Sequence, residues 1–398
     1  MNADTSKTTC YLVLGDASRQ YALRPRPEVP LVVAELMTRA EGPAAVEYLS
    51  RGETRTDRIA VLSDDFTVQD IATPDQPVPI WDGVMLADEF CRLLPSGTAA
   101  GWTSDLAPIM VVRIPADDLV EVLMSTRVRA IGTTFTRVGR LPAAGASLSE
   151  LVRAAFSVAP QFHGQVATEW QDSTRFEEET EIEVKFTLRS PVSIWGLASD
   201  LTTQVGGVEL PGFIPDVGNE LQRWEGALQL CEVLAPASQV GYVALQEQPT
   251  GHYLKYKVFD EDSLRRQETS VRLDTIPTDV LVELLAQRHP EYEVRALPSY
   301  TRTKFDVNVE SSATGHFFGI EVDEVNLVDS DHQLRQLEIE YHRSRVHDGL
   351  DSSLIIPELM RLATLVESYL RRREITFDRT FYSKLSFLRD CVTDSAAV

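Results

Sequence analysis

Four stretches of the chain alternate charged and apolar residues with a period of two, and the longest is Glu179-Thr180-Glu181-Ile182-Glu183-Val184-Lys185. Successive side chains of a strand point to opposite faces. Glu179, Glu181, Glu183 and Lys185 therefore share one face, and Thr180, Ile182 and Val184 the other. Tyr253–Lys257 repeats the pattern with Lys255 and Lys257 on one face, Tyr300–Lys304 with Arg302 and Lys304, and Leu337–Tyr341 with Glu338 and Glu340. A lone strand of this kind ordinarily turns its charges to water. Acidic and basic faces recurring within one segment predict instead an antiparallel sheet closed into a barrel, with one face of every strand turned inward. Charge cannot be buried uncompensated. Such a lumen calls for a strongly anionic ligand against the lysines and arginines and a hard cation against the carboxylates. Paired carboxylates suit Mg2+ or Mn2+, which take oxygen ligands and bridge to phosphates.

Helical periodicity appears beyond these strands. Leu359, Leu362, Ala363, Val366, Tyr369 and Leu370 fall at i, i+3, i+4, i+7 and predict an amphipathic helix on the barrel wall, ended by Arg371-Arg372-Arg373. The first 165 residues predict a separate unit. Cys10–Leu14, Arg58–Leu62, Ile109–Ile114 and Ile131–Leu141 read as strands. Leu31–Arg39, Pro43–Leu49, Val84–Leu94, Pro115–Arg127 and Ser147–Val158 read as helices, the fourth with Asp117 and Asp118 in its first turn. This alternation predicts an α/β or α+β domain over residues 1–165. A linker at Gln161–Thr174 leads to the barrel over residues 175–390, and the whole chain is α+β.

Composition narrows the function. A length of 398 residues suits two domains. A net charge of -22 excludes bulk nucleic-acid binding, which needs a basic footprint, and disfavours anionic membranes. An anionic ligand is then served by cations gathered inside, with an acidic exterior. Cys10, Cys91, Cys231 and Cys391 have neither zinc-site nor disulfide-framework spacing. The polar stretch Met1–Thr5 and the lack of a long apolar run predict a cytoplasmic protein that does not enter a membrane. The seven histidines show no ligand spacing, and no phosphate-loop, dinucleotide or zinc-protease motif is present. A homodimer is compatible with all of this.

From Glu179 to Leu388 the chain resembles the CYTH domain of the triphosphate tunnel metalloenzymes. Glu181-Ile182-Glu183-Val184-Lys185 matches the opening Glu-x-Glu-x-Lys strand, and Leu254-Lys255-Tyr256-Lys257 a later Leu-Thr-Tyr-Lys strand. Arg266-Gln267-Glu268, a helix near Thr278–Arg288, Arg302-Thr303-Lys304, the acidic Gly319–Glu324 strand and Glu338-Ile339-Glu340 follow in the family's order. The basic strand expected before Lys255 is uncharged here (Gly241–Gln246), and Gly206–Gly212 is an inserted loop.

The resemblance implies an eight-stranded barrel open at both ends and a metal-dependent phosphohydrolase acting on an inorganic, nucleoside or other organic triphosphate. A class IV nucleotidyl cyclase and a non-catalytic polyphosphate- or nucleotide-binding module are the alternatives. It implies metal binding by Glu181, Glu183, Glu338 and Glu340. Substrate binding falls to Lys185, Lys255, Lys257, Arg266, Arg302 and Lys304, and catalysis to Lys185, Glu338 and Glu340. Glu268, Glu321 and Asp323 are supporting acids, and Tyr382-Ser383-Lys384 resembles the closing strand.

Overall fold

The computed structural model describes residues 8–17, 29–37, 43–95, 102–115, 119–128, 131–142, 146–158, 173–216, 221–248, 251–259, 261–273, 280–328 and 330–396. The chain divides into two compact units. One holds the residues up to Thr174 together with Ser311–Gly315 and Ser344–Asp351, and the other the remainder.

The first unit is built on β1 (Thr9–Asp16), β2 (Leu31–Leu36), β3 (Val46–Ser50), β4 (Arg55–Leu62), β5 (Val68–Ala72), β6 (Leu106–Ile114), β7 (Leu119–Val128) and β8 (Gly132–Pro142). They form one antiparallel sheet in the order β3-β8-β7-β6-β1-β2-β4-β5. Among the described residues two α-helices accompany it, the short α1 (Asp88–Cys91) and α2 (Leu148–Val158).

This unit is α+β, and several predicted helices are strands. Residues 31–34 and 122–124 are apolar on both faces because both faces of the sheet are covered. Leu12, Ala34, Val61, Val111 and Leu123 pack with Trp81, Phe90 and Trp102 on one side. Val13, Val33, Ala60, Val112 and Val122 pack with Leu151, Val152 and Ala155 of α2 on the other. A short apolar run of this kind has no period that separates strand from helix. Val46–Ser50 is likewise a strand, and only Asp88–Cys91 is helical within 84–94. Asp117 and Asp118 lie outside the described residues, as does most of the predicted linker.

The second unit is a closed barrel. Its strands are β9 (Thr180–Leu188), β10 (Leu221–Ala235), β11 (Gly241–Gln248), β12 (Gly251–Val258), β13 (Arg265–Leu273), β14 (Tyr300–Ser311), β15 (His316–Leu327) and β16 (Gln333–Arg345). Hydrogen bonding runs β16-β15-β14-β10-β11-β12-β13-β9, and β9 returns to β16 with Glu183 opposite Glu340 and Lys185 opposite Glu338. All eight strands are antiparallel to their neighbours, and no edge remains in the ring.

Outside the ring, α3 (Ile194–Gln204) and α5 (Ile355–Arg372) cover Ile182, Val184, Phe186, Ile320, Val322 and Ile339. The shorter α4 (Leu281–Arg288) covers Leu245 and Leu254. The amphipathic helix over 359–370 is therefore where its periodicity predicts.

The last helix, α6 (Lys384–Ala396), begins where a closing strand is expected. Leu385, Phe387, Leu388 and Cys391 pack against Leu228, Leu230, Tyr242, Tyr300 and Val325. By strand register those partners lie on the inward face, since Leu228 is opposite Tyr300 and Val325 opposite Arg302. One end of the barrel is thus filled by an apolar layer under α6 rather than open. Arg389 of α6 fastens it by donating to Glu232, 2.9 Å away. Leu388 is fully buried, so Leu388→Ala should cost about 2–5 kcal/mol. Thermal unfolding of the full chain reads this directly, and an unchanged midpoint would show that α6 does not seal that end.

Candidate functional site: a charged barrel lumen

Strand parity sends one set of side chains inward. On β9 these are Glu181, Glu183 and Lys185, and on β16 Glu338, Glu340 and His342. β12 gives Lys255 and Lys257, β13 gives Arg266 and Glu268, β14 gives Arg302, Lys304 and Asp306, and β15 gives Glu321 and Asp323. Register confirms the common face: Lys257 is opposite Glu268, Glu181 opposite Arg266, Lys304 opposite Asp323 and Asp306 opposite Glu321. All ten residues predicted to bind metal or substrate therefore meet in one lumen. Glu179, predicted on the same face, precedes β9 with a positive φ of 63° and falls outside the strand.

Sequence reasoning did not single out Lys384 as a lumen cation. It reaches in from the first residue of α6, 2.7 Å from Glu338 and 2.9 Å from Asp323. With it, seven cations (Lys185, Lys255, Lys257, Arg266, Arg302, Lys304, Lys384) and eight carboxylates (Glu181, Glu183, Glu268, Asp306, Glu321, Asp323, Glu338, Glu340) of the described residues gather in the open part of the lumen, while Glu232 of β10 faces inward at the end sealed by α6 and accepts from Arg389. All but one of those carboxylates is paired with a cation. Lys185 bridges Glu183, at 2.8 Å, and Glu338. Arg266 donates to Glu183 at 2.6 Å, and Lys257 reaches Glu181 at 2.5 Å and Glu268 at 3.0 Å. Lys255 sits 2.9 Å from Glu268. Arg302 bonds Asp323 at 2.6 Å and Glu338 at 3.2 Å. Lys304 holds Glu321 at 2.8 Å and Asp306 at 3.1 Å.

Titration follows from this wiring. Burial works to raise the Glu338 pKa, but Lys185, Lys384 and Arg302 outweigh it and hold the carboxyl well below its usual range. Glu321 is likewise held to about 2, against burial, by Lys304 and Arg302. Asp306 is pushed up to about 6 by burial and by Glu321. Glu340 is the exception. It makes no hydrogen bond or ion pair among the described residues. Burial and its neighbours Glu181, Glu321, Glu183 and Glu268 raise its pKa well above the ordinary carboxylate value.

Glu340 also belongs to a metal-compatible group. One ligand atom each from Glu321, Glu340 and His342 lies within 4.8 Å of the others. Burial lowers the His342 pKa and so keeps its imidazole neutral, as a ligand must be. Gly319 makes the room, since a Cβ there would come within 2.6 Å of the His342 ring. Of the four predicted metal ligands only Glu340 is in this group. Glu181, Glu183 and Glu338 fall outside it, while Glu321, itself engaged by Lys304, and His342 join it. The signal for His342 was present as the even-numbered run Glu338-x-Glu340-x-His342, which strand parity places on one face.

The lumen wall is not uniform. β11 sends in Tyr242, Ala244 and Gln246, opposite Leu228, Leu230 and Glu232 of β10. The strand that the sequence leaves uncharged is thus the wall against which α6 packs.

No protein-family model matches this sequence, and no curated protein matches it either. Solved structures resemble about half of the chain. The PH1819 protein of Pyrococcus horikoshii is 18% identical over 53% of this chain and 98% of its own, with a TM-score of 0.32. A candidate adenylate cyclase of Bacillus halodurans is 12% identical over 52% and 97%, with a TM-score of 0.29. The Pct1 RNA triphosphatase of S. pombe is 13% identical over 48% and 84%, with a TM-score of 0.21. At these values the likenesses carry no argument about the site, which rests on the strand pairing and contacts above. No helix among the described residues is long and apolar enough to cross a membrane.

Proposed function

We propose that the barrel binds the triphosphate group of a small molecule together with a divalent ion and hydrolyses it. The observation that carries this reading is the lumen's composition: seven cations and eight carboxylates, buried or partly buried, with every one of those carboxylates but Glu340 paired to a cation. A triphosphate can replace the carboxylates as partner of Lys185, Lys255, Lys257, Arg266, Arg302, Lys304 and Lys384. The displaced carboxylates then need cations of their own, and a divalent ion entering with the anion supplies them. A neutral ligand would leave every pair intact and gain nothing.

The donor set fits such an ion. Among the described residues Glu340 pairs with no cation, and Glu321 and His342 converge with it. We assign Glu340, Glu321 and His342 as its holders, with Glu338, Glu181 and Glu183 available once an anion takes their cations. The ion supplies Lewis-acid polarisation of phosphate oxygens and a more acidic water. The chain's own contribution is positional and electrostatic. Lys185, Arg302 and Lys304 are fixed by packed strands and face the space where charge develops during phosphoryl transfer, with no reorganisation needed. Lys185→Ala should therefore lower kcat by on the order of a hundredfold, comparable to removing one oxyanion donor. A change confined to KM would show that the lysine only binds.

An imidazole ligand favours a first-row transition metal over Mg2+, which prefers oxygen donors. Mn2+ is therefore expected to support more turnover than Mg2+. His342→Ala should bring the two ions closer together, with Mn2+ binding followed by electron paramagnetic resonance. Equal binding of Mn2+ by wild type and variant would remove His342 from the set.

A binding-only role is the second reading, favoured by the uncharged wall of β11. Phosphate release from tripolyphosphate, nucleoside triphosphates and thiamine triphosphate, each with Mg2+ and with Mn2+, separates the two. Release supports the hydrolase; tight binding without release of phosphate or pyrophosphate supports the module.

A further inference from the structure

The two units share a strand plan. In the barrel, β10-β11-β12-β13 form a four-strand meander and β14-β15-β16 a three-strand meander, and β14 lies beside β10. In the first unit, β1-β2-β4-β5 form the four-strand run and β6-β7-β8 the three-strand run, and β6 lies beside β1. The seven-strand order β8-β7-β6-β1-β2-β4-β5 therefore repeats β16-β15-β14-β10-β11-β12-β13 position for position, antiparallel throughout. Consecutive elements usually neighbour one another, which would place the second meander beside β5 or β13. In both units the connection instead crosses the whole first meander to its opposite edge. In both, the helix that follows the last strand packs on the outer face, α2 in one and α5 in the other. They differ at the closing strand. β9 precedes its meanders and completes a ring. β3, from the β2–β4 connection, covers the β8 edge, and no pairing of β3 with β5 occurs among the described residues.

What lies on the inner face separates the two. Where the barrel presents charge, the first unit presents Leu12, Ala34, Ile59, Val61, Val111 and Phe135. The space is taken by Ile80, Trp81, Phe90, Leu94 and Trp102, from the connection between its two meanders. One charged layer survives. Arg113 of β6 is opposite Glu121 of β7, the same strand pair on which the barrel sets Lys304 opposite Asp323. Arg113 pairs with the carboxylates of Glu121 and Glu47, and it is Glu121 and Arg137 that bind backbone. Glu121 accepts from Ala44 N at 3.0 Å and from Arg113 at 2.8 Å. Arg137 donates to Ala44 O at 2.8 Å, to Asp348 O at 2.6 Å and to Glu121 at 3.1 Å. The adjoining cavity, of about 220 Å3, balances Arg55 and Arg113 with Glu47 and Glu53.

We infer that the first unit is a second copy of the barrel's strand plan with its lumen filled. Its Arg113–Glu121–Arg137 layer is a backbone clamp rather than an anion cradle, so the chain carries a single polyanion site. The single polyanion site rests on the function proposed for the barrel; the clamp does not.

The test uses the full chain and two readouts. Calorimetric titration with tripolyphosphate and Mn2+ should give one site per chain. That site should be lost in Lys304→Ala and kept, within about threefold in Kd, in Arg113→Met. Arg55→Ala, which removes an exposed cation from the same cavity, serves if Arg113→Met does not fold. Glu121→Gln should lower the Tm by roughly 5–15 °C, because it strips charge from a buried pair on which two arginines depend. A second site that survives Lys304→Ala and disappears with Arg113→Met or Arg55→Ala would overturn the inference, as would an unchanged Tm in Glu121→Gln. If no tripolyphosphate binds at all, the barrel's proposed function fails, and the Glu121→Gln result still decides the clamp.

Discussion

Glu338→Ala should lower the thermal midpoint of the protein by roughly 6–20 °C, and tripolyphosphate should return part of that loss. Glu338 is buried and takes Lys185, Arg302 and Lys384 as partners, from a strand, a second strand and a helix. Removing one member of a buried ion cluster strands the others, at a cost of about 3–5 kcal/mol. For a unit of this size each kcal/mol moves the midpoint by about 2–4 °C. The three stranded cations are also three of the proposed phosphate contacts. An anion that binds there stabilises the variant in proportion to its affinity and concentration. Differential scanning calorimetry with and without tripolyphosphate checks both halves. A large loss with no recovery would mean that the cluster is structural only, and no loss would mean that the cations find other partners.

Glu340→Gln should have the opposite signature. Glu340 has no cation partner among the described residues, and its charge is opposed by burial and by four carboxylates. Neutralising it relieves repulsion, so the metal-free variant should be as stable as the parent or more so. Metal binding should suffer, since one of three converging donors loses its charge. Mn2+ affinity should fall at least about tenfold, the low end of what disturbing a metal site's ligand shells costs. Turnover should fall by on the order of a hundredfold or more. Mn2+ titration followed by electron paramagnetic resonance, alongside thermal unfolding without metal, checks the pair of effects. Unchanged Mn2+ affinity would place the ion elsewhere among the carboxylates.

The contrast between Glu338 and Glu340, two residues apart on one strand, marks what the sequence could and could not carry. Alternation puts both on the inner face, and it does so for Lys185, Lys257, Arg302 and Lys304, because a barrel strand here buries ions on one side and Ile182, Val184 or Ile339 on the other. That two-sided chemistry keeps the period of two visible. The first unit lacks it. Residues 31–34 and 122–124 are covered on both faces by apolar side chains, so their period vanishes and strands imitate buried helix. Which carboxylate is paired and which is left for a metal depends on cations from other strands and from α6, and no local pattern encodes that. Lys384 illustrates the limit. It ends the stretch Tyr382-Ser383-Lys384 that resembles a closing strand, yet it enters the lumen from a helix N-terminus held by Leu385 and Leu388 in the apolar layer.

The most direct test of the central claim is calorimetric titration of the full chain with tripolyphosphate, with Mn2+ present and then with chelator. The lumen described here predicts one tight site with Mn2+, much weaker binding in chelator, and loss of the site in Arg302→Ala. No binding under either condition, or binding unaffected by Arg302→Ala, would contradict a polyanion site in the barrel.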